Sequence, residues 1–571
     1  MYVADFLKYD FKCWKTGESI FIQASTGNGK TTFVLKQLVK HAKESGKEVL
    51  FISNRLLLKE QIKNEILRKE EMELGNLELL QQIEEFDGIT VVSYQKIQEL
   101  MERKLAEKYY DGDRYMYTVM DEIHYILEDA IFNPKIEFFM QFLRRSCGVK
   151  VFLSATLEEA AKYIIYSGAL GKLLTDEWEK IGENVSELCL NTYTYWTSGI
   201  KTRIRKYEIP LEKKMVCVNY FQDFEQVIRR INQSNEKWLV FISNKKMAET
   251  WSKKLEVSFR IVHAEKKEQD VMESIIRQEK FQEQVLIATK ILDNGVNFKD
   301  AELKNIVIDT ISKTEFIQMM GRKRVEPREV ITVYIPQKNQ KYFSGYYWLG
   351  IKKIQDLLEE NGDGNNRLIQ KILEDAEIYD IARRFYIYSD GKLKLNSSGK
   401  YKVELVANFL DKMQKALKCD ALAFVKEQIS WIENEAVISE ITDLTFVERE
   451  AYLKRLQAWL KEQEGKWLNM EEQLEFRKQL TLYMEKIGNK PMKNTVGKCL
   501  ISRFLTDWCP KYEIVVHKSC KKGERSLWML RRREHGVGHS DEILCRDLSI
   551  RSGNKKNGGE NENKKSQLPK L

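Results

Sequence analysis

Nine short runs of β-branched and apolar residues lie between residues 20 and 335, each separated from the next by an amphipathic stretch of helical period. They begin with Ser19-Ile20-Phe21-Ile22-Gln23, Glu48-Val49-Leu50-Phe51-Ile52-Ser53 and Gly88-Ile89-Thr90-Val91-Val92, and end with Val330-Ile331-Thr332-Val333-Tyr334. Strands that are apolar on both sides and joined by helices belong in parallel sheets covered on both faces. This alternation fixes the class of the first part of the chain as α/β. The polar stretch 166–205 divides the runs into two groups, so the expected order is one domain over 1–165, a linker over 166–205 and a second domain over 206–340.

Beyond residue 340 the period is helical, with helices expected over 346–360, 364–385, 399–434, 446–462 and 468–487 and a hairpin at Phe385–Leu395. A helical region over 341–445 and a separate unit over 446–535 follow from this pattern. In that unit the helix 468–488, the turn at Gly488-Asn489-Lys490-Pro491, the helix 494–507 and two β-like arms give the element order of a winged helix. Such a fold would set Lys498 and Arg503 on a groove-facing helix, and Lys518, Lys521, Lys522 and Arg525 on nucleic-acid phosphates. Residues 536–571 are rich in Gly, Asn, Lys and Glu, the composition of a disordered tail.

The 571 residues, 43% hydrophobic and 31% charged, suit a soluble protein of about three to five domains. No stretch approaches ~18 apolar residues, and the start lacks a basic segment followed by an apolar one, so neither membrane spanning nor secretion is expected. Nine cysteines without a Cys-x-x-Cys pair suit a reducing cytoplasm. The net charge of +9 is concentrated: residues 489–535 carry twelve Lys/Arg against four Asp/Glu, while the first 488 residues are close to neutral. An anionic partner such as nucleic acid is the natural counterpart of such a block. His517, His535 and His539 lie near Cys509, Cys520 and Cys545, but Gly536 and Gly538 break the helical spacing a zinc site would need, and no zinc is expected.

The chemistry is concentrated in the first domain. Strand 19–23 runs into Ala24-Ser25-Thr26-Gly27-Asn28-Gly29-Lys30-Thr31-Thr32 and then a helix. Small residues there let backbone N–H groups face phosphates, Lys30 can reach the β- and γ-phosphates, and Thr31 can ligate Mg²⁺. Ser25 through Thr32 are therefore the expected nucleotide cradle. About ninety residues on, Thr118-Val119-Met120-Asp121-Glu122-Ile123-His124 sets two carboxylates at the end of an apolar strand. Asp121 suits the Mg²⁺ shell, and Glu122 suits orientation or deprotonation of an attacking water.

Taken in order, the phosphate loop, Asp121-Glu122-Ile123-His124, Ser154-Ala155-Thr156, Ala288-Thr289 through Gly295-Val296-Asn297, and Gln318-Met319-Met320-Gly321-Arg322 resemble the motifs of superfamily-two DExH/DEAD-box helicases. The match covers about residues 10–340 and has the look of a phage or mobile-element protein. It implies two tandem RecA-like parallel-sheet domains with ATP and Mg²⁺ between them and a nucleic-acid strand, expected to be DNA, across both. Ser154, Thr156 and His124 then couple nucleotide state to domain closure. Arg55, Ser93, Tyr94 and Gln95 in the first domain, and Ser243, Asn244 and Thr289 in the second, correspond to strand contacts, and Gly295 allows a tight turn beside the nucleotide.

Arg322 corresponds to the arginine finger and Gln318 stands beside it. The family's second arginine would fall at Val325, whereas this chain has Arg324: either Arg324 takes the role through a local shift, or Arg322 acts alone. No glutamine motif precedes the phosphate loop. The function expected from the resemblance is that of an ATP hydrolase of DExH type, a helicase or translocase, with replication or recombination proteins as possible partners. An initiator or scaffold using ATP only as a switch is the alternative.

Overall fold

The computed structural model describes residues 2–25, 27–53, 84–170, 172–173, 193–197, 200–210, 213–242, 245–262, 278–288, 297–324, 329–361, 366–389, 391–488, 496–517 and 526–533. By its internal contacts the chain forms two units, Met1–Val447 and Glu448–Leu571.

The first unit holds two parallel sheets. At the centre of the first, strand Ser19–Gln23 lies between Val149–Ser154 and Ile200–Glu208. Beyond Val149–Ser154 come Tyr115–Asp121, Glu48–Ser53 and Ile89–Ser93, all parallel. The short strand Glu85–Phe86 closes one edge, and Tyr193–Thr197 with Lys172–Leu173 closes the other, by antiparallel pairing. Strands buried on both sides explain the continuous apolar runs: Ile20 and Ile22 pack on one face with Phe33, Leu38 and Trp14, Phe21 on the other with Tyr94, Phe139 and Phe152. The expected linker 166–205 thus contributes strands to this sheet.

In the second sheet the strand order is Phe259–Val262, Val285–Ala288, Lys237–Ile242, Leu303–Asp309, Ile331–Pro336, Lys214–Phe221 and Ala436–Asp443, all parallel. The last strand comes from far along the chain, in the stretch 341–445 read from sequence as a helical region. The helices that follow residue 340 do not form a core of their own. Phe343, Ile351, Leu410, Phe424 and Trp431 share one apolar cluster with Val216, Leu239, Ile306 and Val333 of the sheet. Region 341–445 is therefore the cover of one face of the second sheet. The helix expected over 399–434 is two, Ser397–Cys419 and Ala423–Glu435, interrupted where the Asp420 side chain accepts from the backbone N–H of Leu422. The hairpin is present as Tyr386–Ser389 paired with Lys392–Leu395.

The cover also reaches the first sheet. The Asn396 amide donates to the carbonyl of Ala130 at 2.8 Å, Ser398 Oγ donates to the Tyr163 hydroxyl at 2.9 Å, and Lys402 Nζ meets Glu128 at 2.8 Å. A Cβ at Gly399 would stand 2.8 Å from the carbonyl oxygen of Ala130, so only glycine admits this approach.

The second unit contains most of the helix Leu444–Gln463, then Trp467–Leu468, helices Met470–Gly488 and Lys498–Trp508, and strands Tyr512–His517 and Leu527–Arg532. The three strands pair antiparallel in the order first, third, second. Its core is Leu456, Leu460, Phe476, Leu480, Ile501, Leu505 and Leu530. Among the described residues no helix is long and apolar enough to cross a membrane.

Candidate active site

Gly27 and Gly29, at φ +96° and +74°, turn the loop after strand Ser19–Gln23. Gly29 caps the helix that starts at Lys30 and continues, through a π-turn at Val34–Leu38, to Glu44. Positive φ at both positions explains the two glycines: a side chain there would be strained. Lys30 is buried, with Nζ 2.9 Å from the carbonyl of Ala24 and 3.9 Å from Glu122 Oε1. The Asn28 side-chain nitrogen is buried with no hydrogen-bond partner, a donor available to an anion. These features fit a phosphate. Thr31 and Thr32 lie in the first turn of the helix, and Thr26 lies outside the described residues.

Asp121 ends strand Tyr115–Asp121, one strand away from the loop, and Glu122 follows at φ +51°. A carboxylate residue held in the left-handed region is uncommon, and such strain is retained where the surroundings over-determine it. His124 closes the group. Its Nδ1 lies 2.9 Å from Ser154 Oγ and 3.4 Å from Glu122 Oε2, and its Nε2 lies 3.3 Å from the Gln318 side-chain nitrogen. Gln318 Oε1 in turn accepts from Arg322 Nη2 at 2.7 Å. Because Gln318 presents its carbonyl to Arg322, its amide N–H points to His124, whose Nε2 must accept. The imidazole is then the neutral Nδ1–H tautomer, donating toward Ser154. Ser154 Oγ also accepts from the backbone N–H of Thr156 at 3.0 Å. One hydrogen-bonded chain therefore joins Ser154, His124, Gln318 and Arg322 across the two sheets.

The two arginines occupy different places. Arg322, 2% exposed, is held by Gln318. Arg324 lies on the phosphate loop: an ideal Cβ at Gly27 would stand 2.6 Å from its Nη1 and 3.3 Å from its Cζ. Burial pulls the Arg324 guanidinium below its ordinary range, and Glu279 and Glu122 oppose that shift. Arg324, one residue short of the position the family pattern would use, is thus a side chain that meets the loop.

Glu435, absent from the motifs, also reaches the loop. Its Oε2 accepts from Ser25 Oγ at 3.0 Å, over a separation of 410 residues. Burial raises its pKa, while Ser25 and the charges of Lys313, Lys213 and Lys30 pull it down. No local signal in the sequence marks this contact.

The expected strand contacts fare unevenly. Tyr94 is a correction: it is 0% exposed, its hydroxyl donates to the carbonyl of Asp121 at 3.0 Å, and its ring packs on Tyr125 and Phe139, so it offers no surface to a strand. Ser93 caps the helix Tyr94–Glu102, accepting from the N–H of Lys96. Gln95 is exposed and donates to the Tyr125 hydroxyl at 3.2 Å. Lys498 and Arg503 are exposed on helix Lys498–Trp508. Arg55, Ser243, Asn244, Thr289, Gly295, Lys518, Lys521, Lys522 and Arg525 lie outside the described residues.

Two family models match parts of the chain. Residues 9–164 match the DEAD/DEAH box helicase family and residues 220–324 the helicase conserved C-terminal domain. No curated protein matches the chain. Among solved structures, Dbp5 of S. cerevisiae bound to RNA and ADP BeF3 is similar at 14% identity and a TM-score of 0.39, over 56% of this chain and 80% of that one. Lhr of Mycobacterium smegmatis bound to ssDNA and AMP-PNP is similar at 11% identity and 0.38, over 71% and 59%. A DEAD box protein of Methanococcus jannaschii is similar at 17% identity and 0.30, over 58% and 85%. The chain thus carries a DEAD/DEAH box helicase domain followed by a helicase conserved C-terminal domain.

Proposed function

We propose that the chain is an ATP-dependent helicase or translocase of DExH type that hydrolyses ATP with Mg²⁺ in the cleft between the two sheets and moves on nucleic acid. The observation that carries this reading is the hydrogen-bonded chain Ser154–His124–Gln318–Arg322, which ties the carboxylate strand of one domain to the helix Lys313–Met320 of the other and to the arginine just after it. Lys30, the Asn28 amide and the loop N–H groups would hold the phosphates, and Thr31 and Asp121 would hold the metal. Bound Mg²⁺ would neutralise charge on the transferred phosphoryl group. Glu122, beside Lys30 and His124, is placed to orient and deprotonate water. Arg324, lying on the loop, is placed to stabilise charge as it develops, and Arg322 holds Gln318 so that the second domain senses His124.

DNA is the strand proposed, because the second unit has the winged-helix element order that commonly sets a helix in a DNA groove, with Lys498 and Arg503 exposed on the corresponding helix. The test is steady-state ATP hydrolysis by the full chain against a panel of single and double strands of DNA and RNA. Turnover that rises with a strand and is lost in Lys30→Ala is expected. Hydrolysis indifferent to every strand would overturn the motor reading.

A further inference from the structure

The helix Ala423–Glu435 covers the second sheet, yet its last side chain ends on the phosphate loop of the first. Glu435 is half-buried, accepts from Ser25 Oγ at 3.0 Å, and lies within the field of Lys313, Lys213 and Lys30. The geometry places a carboxylate on the residue that opens the phosphate cradle and within the field of the lysine that serves the terminal phosphates. A phosphate group entering there meets a like charge and finds the Ser25 hydroxyl already engaged.

We propose that Glu435 is an internal competitor for the phosphate loop, which a nucleoside triphosphate must displace in order to bind. The inference rests on the nucleotide reading above and adds a regulation to it. Displacing Glu435 perturbs an element that does not end at the site. The same helix packs Trp431 against Phe316, at 5.5 Å between ring centroids, and Phe316 stands on the helix Lys313–Met320 that carries Gln318. Strand Ala436–Asp443 follows at once and pairs along Lys214–Phe221. Release of the carboxylate is thus felt by the helix that carries Gln318 and by the edge of the second sheet, and the cover becomes a reporter of triphosphate.

The experiment is equilibrium binding of a fluorescent ATP analogue and of the corresponding ADP analogue, with Mg²⁺, to the full chain and to Glu435→Gln, Glu435→Ala and Lys30→Ala. Thermal unfolding of each verifies the fold. Glu435→Gln keeps an acceptor for Ser25 and removes only the charge. It should bind the ATP analogue about tenfold more tightly, a like-charge contact at a half-buried site being worth on the order of one decade, with a smaller gain for ADP. Glu435→Ala should tighten binding at least as much. Unchanged or weaker binding in both Glu435 variants, with parental binding still lost in Lys30→Ala, would overturn the competitor alone. Binding that ignores Lys30→Ala would overturn the nucleotide reading, and the competitor with it.

Discussion

The sharpest consequence of the site geometry concerns Arg324. Its guanidinium approaches the loop so closely that a Cβ on Gly27 would touch Nη1, yet its backbone is fixed independently: the N–H of Arg324 donates to the carbonyl of Phe298, and the N–H of Phe298 to that of Arg322, each at 2.8 Å. Arg324→Ala should therefore fold normally and lose only the charge. A unit charge about 4 Å from a phosphate at an effective dielectric near 20 contributes about 4 kcal/mol. At 1.36 kcal/mol per decade that is about a thousandfold in rate, the lower end of the ~10³–10⁵ associated with arginine fingers. The assay is steady-state ATP hydrolysis at saturating strand, beside equilibrium binding of an ATP analogue. Turnover should fall about a thousandfold while affinity changes far less, because the charge matters most when the phosphoryl group is in flight. Arg324→Lys should recover only part, since an ammonium lacks the planar fork. Near-parental turnover in Arg324→Ala, with Arg322→Ala inactive, would refute the assignment and leave Arg322 as the finger.

Three further outcomes concern stability and are read by denaturant unfolding. Lys402, 8% exposed and 2.8 Å from Glu128, forms a buried pair, so Lys402→Met should destabilise by about 3 kcal/mol and Lys402→Met with Glu128→Met should recover most of that; equal loss in both would show that the charge pairing is irrelevant. Gln428 is 0% exposed with neither amide atom hydrogen bonded, so Gln428→Leu should stabilise by about 1–2 kcal/mol; destabilisation would mean that the amide is satisfied. Lys150 is buried in strand Val149–Ser154, which lowers its pKa from 10.5 to about 8. A depressed ammonium penalises the folded state fully below pH 8, and the penalty fades as pH rises from 8 to 10.5. Lys150→Met should therefore exceed the parent by up to about 3 kcal/mol at pH 7 and converge on it toward pH 10.5, and a pH-independent difference would contradict the burial argument.

What could be read from sequence was local. The phosphate loop is written in nine consecutive positions from Ala24 to Thr32, directly after strand Ser19–Gln23, because a strand, two left-handed glycines and a helix start must follow one another closely. Asp121 and Glu122 were legible because a strand buried on both sides ends there abruptly. Tyr94 was misread for a related reason: an aromatic residue after a strand end looks alike whether it meets a ligand or, as here, fills the space between Tyr125 and Phe139. The strand Ala436–Asp443 escaped because an edge strand bearing Ser439, Glu440 and Asp443 lacks the apolar run of a central one. Glu435 escaped because no periodicity records a hydrogen bond between residues 410 positions apart. Region 341–445 carried no motif, yet it meets both the phosphate loop, through Glu435, and the helix after His124, through Lys402.

The account stands on the claim that hydrolysis in the cleft drives movement on a strand. The direct measurement is displacement of a labelled strand from a partial duplex by the full chain, with ATP, with a non-hydrolysable analogue, and by Glu122→Gln with ATP. Displacement by the parent with ATP alone is predicted, with Glu122→Gln binding the duplex but releasing no strand. Equal displacement by Glu122→Gln, or by the parent without hydrolysable nucleotide, would contradict it.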